Sequence, residues 1–304
     1  MINLESIISV LIPLVTAPLL LGIINRVKAT IAGREGQPIL QPYYDIWKLL
    51  RKSAVYSKTT SWIFRLGSLI SLAAIILGLT LIPAGPIPAL IGFKGDIFLL
   101  VYLIGLARFM TVISALDTGS SFEGMGSSRE VFFSALSEPA ILLALLALAK
   151  IGDAYSLSAI FANISAETWF YKGASLALII GALFVILLSE NSRIPVDDPN
   201  THLELTMIHE VMVLDHSGPD FAAITYGSAL KLWINSALIV PVLLPIHTNN
   251  LSTDILLWIC GMFLIAMVIG LIESSMARLR LTVVPQFLVG ATVLAATAII
   301  LIYI

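Results

Sequence analysis

Of the 304 residues, 58% are hydrophobic and only 12% charged, with a mean hydropathy of +0.98. A soluble domain carries about 25% charged residues, so the composition excludes a soluble enzyme and indicates a polytopic membrane protein. The net charge of −2 gives no footing for nucleic acid, and the single Cys260 cannot build a disulfide framework or hold an iron–sulfur cluster. Because a bilayer core takes about 20 apolar residues as helix, eight spans are expected, over roughly 4–25, 64–84, 97–116, 129–150, 173–190, 222–246, 254–273 and 282–303. The first is not expected to be a signal peptide by its flanks: Glu5 precedes it and Arg26 and Lys28 follow. The expected fold is all-α, a single integral membrane domain over 1–304.

Basic residues orient the spans. The segments after spans 1, 3, 5 and 7, with their flanks, hold Arg26, Lys28, Arg34, Lys48, Arg51, Lys52, Lys58, Arg65, Arg129, Arg193, Arg278 and Arg280, against Lys94, Lys150 and Lys172 on the other side. Both termini are therefore expected on the non-cytoplasmic side of a cytoplasmic (inner) membrane. Segments 26–63, 117–128 and 191–220 are expected to form a cytoplasmic docking face. Two of them far exceed the length that joining two helices requires.

In the first of these segments, Leu40, Tyr43, Tyr44, Trp47 and Leu50 share one helical face. Asp45, Lys48, Arg51 and Lys52 fill much of the rest, and Pro42 suits a first turn. This predicts a cytoplasmic amphipathic helix, either a surface anchor or the wall of a cleft, with physics favouring the anchor.

Arg108 lies within span 3, and Asp117 ends it. The following stretch is rich in Gly and Ser and reads as a flexible, hydratable connection. Glu130 and Glu138 then stand in span 4, eight residues apart, about 12 Å of rise and about 80° of rotation. Both can face one bundle interior. A carboxylate at membrane depth costs roughly 3 kcal/mol or much more, so it is kept for charge movement or for pairing. Glu190 closes span 5, Lys231 lies in span 6, and Glu273 closes span 7. These groups form a polar chain toward mid-membrane, read as a proton relay or as helix-holding ion pairs.

The segment after span 5 contains VDDP, similar to the magnesium–diphosphate motif of membrane prenyltransferases, but the second Asp-rich motif such enzymes need is missing. His202, His209 and His216 recur every seven residues. On a helix, His202 and His209 would stand two turns apart, too far to chelate one metal, so no metal site is expected. The series is expected to face a partner protein.

Three stretches carry a resemblance: LQPYYDIWKLLRK, SALDTGSSFEGMGSSREVFFSALSEPAILLAL and ESSMARLRL. Together they resemble the large membrane-anchor subunit of formate hydrogenlyase and related group 4 energy-converting hydrogenases, including the hydrogenase-4 type. That subunit is homologous to the quinone-chamber, or heel, subunit of respiratory complex I. The resemblance runs from about residue 18 to 281. The complex I order of Glu, Arg-x-Pro-x-Asp and Glu is kept by Glu190, Arg193, Pro195, Asp197 and Glu204. Where complex I relatives carry further Glu, this chain has Asn200 and His202.

The resemblance implies an eight-helix subunit with no catalytic centre and no redox cofactor of its own. Iron–sulfur clusters, and nickel–iron where the large subunit keeps it, are implied on partner chains. The implied partners are an iron–sulfur subunit and a hydrogenase-like large subunit of a peripheral arm, antiporter-like membrane subunits, and lipid. Glu130, Glu138, Glu190, Asp197 and Glu204 are the implied charge-relay residues, with Lys231, Arg108 and Asp117 in the same polar chain. Arg193, Arg34, Asp45, Lys48, His202, His209 and His216 are assigned to docking and loop organisation. The alternatives are a complex I-type subunit with a working quinone site and a stand-alone ion transporter.

Overall fold

A computed structural model describes residues 4–198, 207–245, 248 and 250–303. Its helices are α1 (Leu4–Ile31), α2 (Gln41–Leu50), α3 (Trp62–Leu79), α4 (Asp96–Asp117), α5 (Ser121–Ile151), α6 (Leu157–Asn163), α7 (Ala166–Glu190), α8 (Gly218–Leu243), α9 (Leu251–Ser275) and α10 (Val284–Tyr303), with a 3₁₀ turn at Glu210–Val213. Among the described residues eight helices are long and apolar enough to cross a membrane, all but α2 and α6. They match the eight expected spans in order. The amphipathic helix expected at 40–52 is α2, with Pro42 in its first turn and its side chains outside the core.

Helix α8 is the axis of the bundle: 67% of its most apolar stretch is buried, against 22% for α10 on the rim. It packs on α1, α3, α7 and α9, while α10 closes over α5 and α7. Tyr102, Phe109, Val131, Leu256 and Val293 face outward, which costs nothing in a lipid setting because no water meets them.

One proline within the spans has its gap covered by a partner. Pro18 in α1 lacks the N–H that would reach back to Leu14. The Leu14 carbonyl instead accepts from the Tyr226 hydroxyl of α8 at 2.7 Å. One residue on, the Val15 carbonyl accepts from the Tyr43 hydroxyl, which ties α2 to α1. Gly22 brings the link closer still, since a Cβ there would lie 1.9 Å from the Ile39 carbonyl oxygen. The loop entering α2 therefore rests on bare α1 backbone.

Two expectations change here. Segment 117–128 is not a flexible connection, because α5 begins at Ser121 and only residues 118–120 join α4 to it. Its small residues serve close packing: a Cβ on Gly126 would lie 2.3 Å from Val211 Cγ1 and 3.0 Å from the Ile208 carbonyl oxygen. The segment after α7 can thus lie directly on α5. The fifth span starts earlier than expected, at Ala166, with a break in helical geometry at Lys172.

The polar segments at one end of the bundle are laced together. Ser61 donates from its backbone N and its Oγ to Asp117 at 2.6 and 2.8 Å. The Val55 backbone N donates to Ser217 Oγ at 3.0 Å, and the Asp215 backbone N donates to Glu123 Oε1 at 3.3 Å. At the opposite end, Asp96 accepts from Ser156 Oγ and the Leu157 backbone N.

Candidate charge-relay site

Arg108, near the middle of α4, is the hub of the site. Its guanidinium reaches Glu190 Oε1 at 2.9 Å, Glu138 Oε1 at 3.1 Å and Glu130 Oε1 at 3.5 Å. The planar fork of arginine presents five N–H donors, which lets one side chain serve carboxylates from two helices. Glu190, the last residue of α7, also accepts from Ser137 Oγ at 2.8 Å and meets Lys231 Nζ of α8 at 2.9 Å. Four helices, α4, α5, α7 and α8, therefore meet in one charged cluster.

The segment after α7 completes it. Residues 191–198 fold back under α7, with the Arg193 backbone N donating to the Leu188 carbonyl and a cis bond between Ile194 and Pro195. Val196 and Ile208 fill an apolar cluster with Phe133, Val284 and Leu288. That burial fixes Asp197, whose Oδ2 accepts from the backbone N of Ile208 and His209 at 3.1 and 3.2 Å, and whose Oδ1 meets Arg278 at 2.9 Å. His209 then points inward, with Nε2 3.2 Å from Glu130 Oε2 and Nδ1 4.0 Å from Asp197 Oδ2. The chain of charges runs Arg278, Asp197, His209, Glu130, Arg108, Glu190, Lys231. Beside it, Glu273 joins Arg193 at 3.2 Å and Lys28 at 2.7 Å.

Of the expected relay residues, Glu130, Glu138, Glu190, Asp197, Lys231 and Arg108 come together. Asp117 does not: both of its oxygens serve Ser61, the residue that caps the start of α3. Glu204 and His202 lie outside the described residues. Glu138 also sits differently from the expectation that both span-4 carboxylates face inward. Its side chain is 47% exposed on the outer wall, whereas that of Glu130 is 6% exposed.

Of the seven-residue histidine series, the two described members, His209 and His216, turn into the protein. No helix carries these two, since His209 precedes a 3₁₀ turn and His216 follows it. His209 enters the charged cluster, while His216 is buried and stacks on Phe64 with ring centroids 4.0 Å apart. Arg34 is exposed, and Asp45 and Lys48 line a cavity. This cavity, about 600 Å³, runs from α2 inward to Arg108, Glu130, Glu190, His209 and Lys231. Among the described residues no group of three or more His, Cys, Asp or Glu is placed to hold a metal ion.

Sequence reasoning gave no site role to Ser137, Lys28 or Arg278. A serine in a span carries no signal of its own. Arg278 was visible only within ESSMARLRL and as one of the basic residues that orient the spans, and its partner Asp197 lies 81 positions earlier (278 − 197).

The two loop histidines carry opposite pH signatures. Burial lowers the affinity of His209 for a proton, and Glu130 and Asp197 outweigh this, so its pKa stands above the ordinary 6.5. Stability from this group is full below 6.5 and is lost as pH rises through the raised value. Burial pushes the His216 pKa below 6.5 despite Asp220 and Asp215. Its contribution is full above 6.5 and is lost as pH falls through the lowered value. The thermal midpoint of His209→Gln should therefore trail wild type most in mild acid and converge on it with rising pH. His216→Phe should gain on wild type in mild acid. Thermal-shift curves of the three proteins across pH check both signs, and parallel curves would refute them.

Known proteins place this geometry in a family. The chain is 30% identical to formate hydrogenlyase subunit 4 of Escherichia coli (strain K12) over 292 residues, covering 93% of each chain. It is 29% identical to hydrogenase-4 component C of the same organism over 273 residues, covering 88% of this chain and 85% of that one. A chain in the structure of the membrane-bound sulfane sulfur reductase, an archaeal respiratory membrane complex, superposes with a TM-score of 0.83 over 98% of both chains at 20% identity, which establishes the shared fold. The family described as NADH dehydrogenase matches residues 4–304. The chain is a multi-pass membrane protein of the NADH dehydrogenase family, homologous to formate hydrogenlyase subunit 4 and hydrogenase-4 component C.

Proposed function

We propose that this chain is the non-catalytic membrane anchor of an energy-converting hydrogenase or hydrogenase-related complex. It links redox chemistry on a peripheral arm to ion translocation through its buried carboxylates. The observation that carries the reading is the unbroken run of charges from Asp197 in the polar segment, through His209, Glu130 and Arg108, to Glu190 and Lys231 within the spans. A structural ion pair needs two groups; a chain crossing from a loop into four helices gives a charge displacement somewhere to travel.

The excess of basic residues supports a cytoplasmic side for the ends carrying 32–61 and 191–217, where an arm of iron–sulfur and hydrogenase-like subunits would dock. Iron–sulfur clusters, and nickel–iron where it is kept, would sit on those partners. Glu138 marks the other interface. Its half-exposed carboxylate, 13 residues and about 20 Å from the far end of α5, would face lipid unless a further membrane subunit covers it. An antiporter-like subunit against α4 and α5 meets that requirement and receives the charge signal.

Replacing Glu138 with Gln keeps the shape and removes the charge. In the assembled complex, redox turnover should continue while ion translocation falls by roughly 10²-fold, the usual worth of a positioned acid–base group. Normal pumping would remove Glu138 from the relay, and loss of assembly would make it a structural partner of Arg108.

A second reading draws on the cavity. Its volume of about 600 Å³ lies within the range of small-molecule sites, roughly 300–1,000 Å³, and α2 sits at its mouth. A quinone held there would make this a complex I-type subunit, and competition by quinone-site inhibitors against turnover would favour that assignment.

A further inference from the structure

Three carboxylates, Glu130, Glu138 and Glu190, meet two permanent cations, Arg108 and Lys231. Asp197 has its own cation in Arg278, and Glu273 meets two, Lys28 and Arg193. Five carboxylates thus face five permanent cations overall, and the one local excess of carboxylate lies around Arg108, where an added proton is best placed. His209 is the group placed to hold it, 3.2 Å from Glu130, with a quarter of its side chain exposed where it lines the cavity.

We propose that His209 and Glu130 share the one mobile proton of the cluster, and that His209 passes it between the cavity and the membrane-embedded carboxylates. In one direction the Nε2–H bond of the imidazolium breaks and an O–H bond forms on Glu130 Oε2. The ion pair becomes a neutral imidazole beside a neutral acid. Once Glu130 has passed its proton on along the carboxylates, rotation about Cβ–Cγ turns the neutral ring to the cavity, where a hydronium ion protonates it and leaves water. His209 is held for this step by Asp197, which accepts from its backbone N. The groups that set its affinity are Glu130 of α5, Asp197 of its own segment and Lys231 of α8, with Arg108 of α4 acting through Glu130 and Arg278 through Asp197. Glu210 follows it in the chain and lines the same cavity. A shift of the short turn at 210–213 by a docked arm would move the imidazole off Glu130, which makes the turn the input of the relay.

The assignment stands on the relay proposed above, and the experiment separates the two. Complexes carrying His209→Gln, His209→Ala, Glu130→Gln or Glu190→Gln are sealed into vesicles, and proton and sodium flux per redox turnover is read across pH. His209→Gln should assemble, turn over and lose flux on the order of 10²-fold. His209→Ala should regain flux when imidazole is added, because the cavity beside residue 209 admits it, and the regain should follow the imidazolium fraction as pH changes. Wild-type flux and pH profile in His209→Gln would overturn the assignment, as would a His209→Ala loss that imidazole does not relieve. If Glu130→Gln and Glu190→Gln both carry normal flux, the relay itself is wrong. If they are silent while His209→Gln is normal, the relay stands and only the role of His209 falls.

Discussion

Replacing Arg108 with methionine should be the most damaging single change in the spans, costing about 3–5 kcal/mol, the usual penalty for stripping the partner from a buried charge. Methionine matches the apolar stem in length, so lost packing contributes little. What it removes is the guanidinium that three carboxylates share at 2.9–3.5 Å. Glu130 retains His209 and Glu190 retains Lys231, while Glu138 loses its only ion-pair partner among the described residues. Arg108→Lys is the informative companion. One ammonium cannot face three carboxylates on two helices with the reach of a planar fork. It should let the complex assemble with a lower thermal midpoint and impaired translocation. Native gel analysis and thermal midpoints of the two variants test this. An Arg108→Met complex as stable as wild type would mean that the carboxylates are neutral in the resting state, and the cluster would then be an acid chain rather than an ion-pair chain.

Why some of this was legible in the sequence and some not follows from the range of the interactions. The eight spans and α2 are local facts: each is set by hydropathy or by side-chain period over 10–31 residues. The buried charges were legible for the opposite reason, since Arg108, Glu130, Glu138, Glu190 and Lys231 break an apolar pattern that tolerates few exceptions. Contacts across the chain were not. Asp117 looks like a relay member until Ser61, 56 positions earlier, is seen holding both its oxygens. The GMGSS run looks flexible until the 207–213 segment is seen lying against Gly126. His209 and His216 look like one face only while a helix is assumed, and a 3₁₀ turn between them sends one to Glu130 and the other to Phe64. The two span-4 carboxylates show the same limit in geometry. About 80° of rotation is little enough for a shared partner in Arg108, yet enough to carry Glu138 to the outer wall.

The Glu190–Lys231 pair offers the sharpest separation of relay from scaffold, with a large effect expected in either case. Glu190→Gln removes the carboxylate between Arg108 and Lys231 and leaves two cations close together in a buried site. Lys231→Met leaves Glu190 held by Arg108 and Ser137. Each single change should lower the thermal midpoint, Glu190→Gln more than Lys231→Met. The double change removes one charge of each sign and should recover part of the loss, with a coupling of roughly 0.5–3 kcal/mol, as found for residues in one ion-pair network. Translocation should not follow stability. A relay needs a titratable group where Glu190 stands, between Arg108 and Lys231, and a glutamine there is dead to protons however well the helices pack. The double variant should therefore be more stable than Glu190→Gln and just as silent. If it pumps as well as it folds, α7 and α8 are joined by an ordinary structural pair, and the path from Glu130 must leave the chain at Glu138 without passing through Glu190.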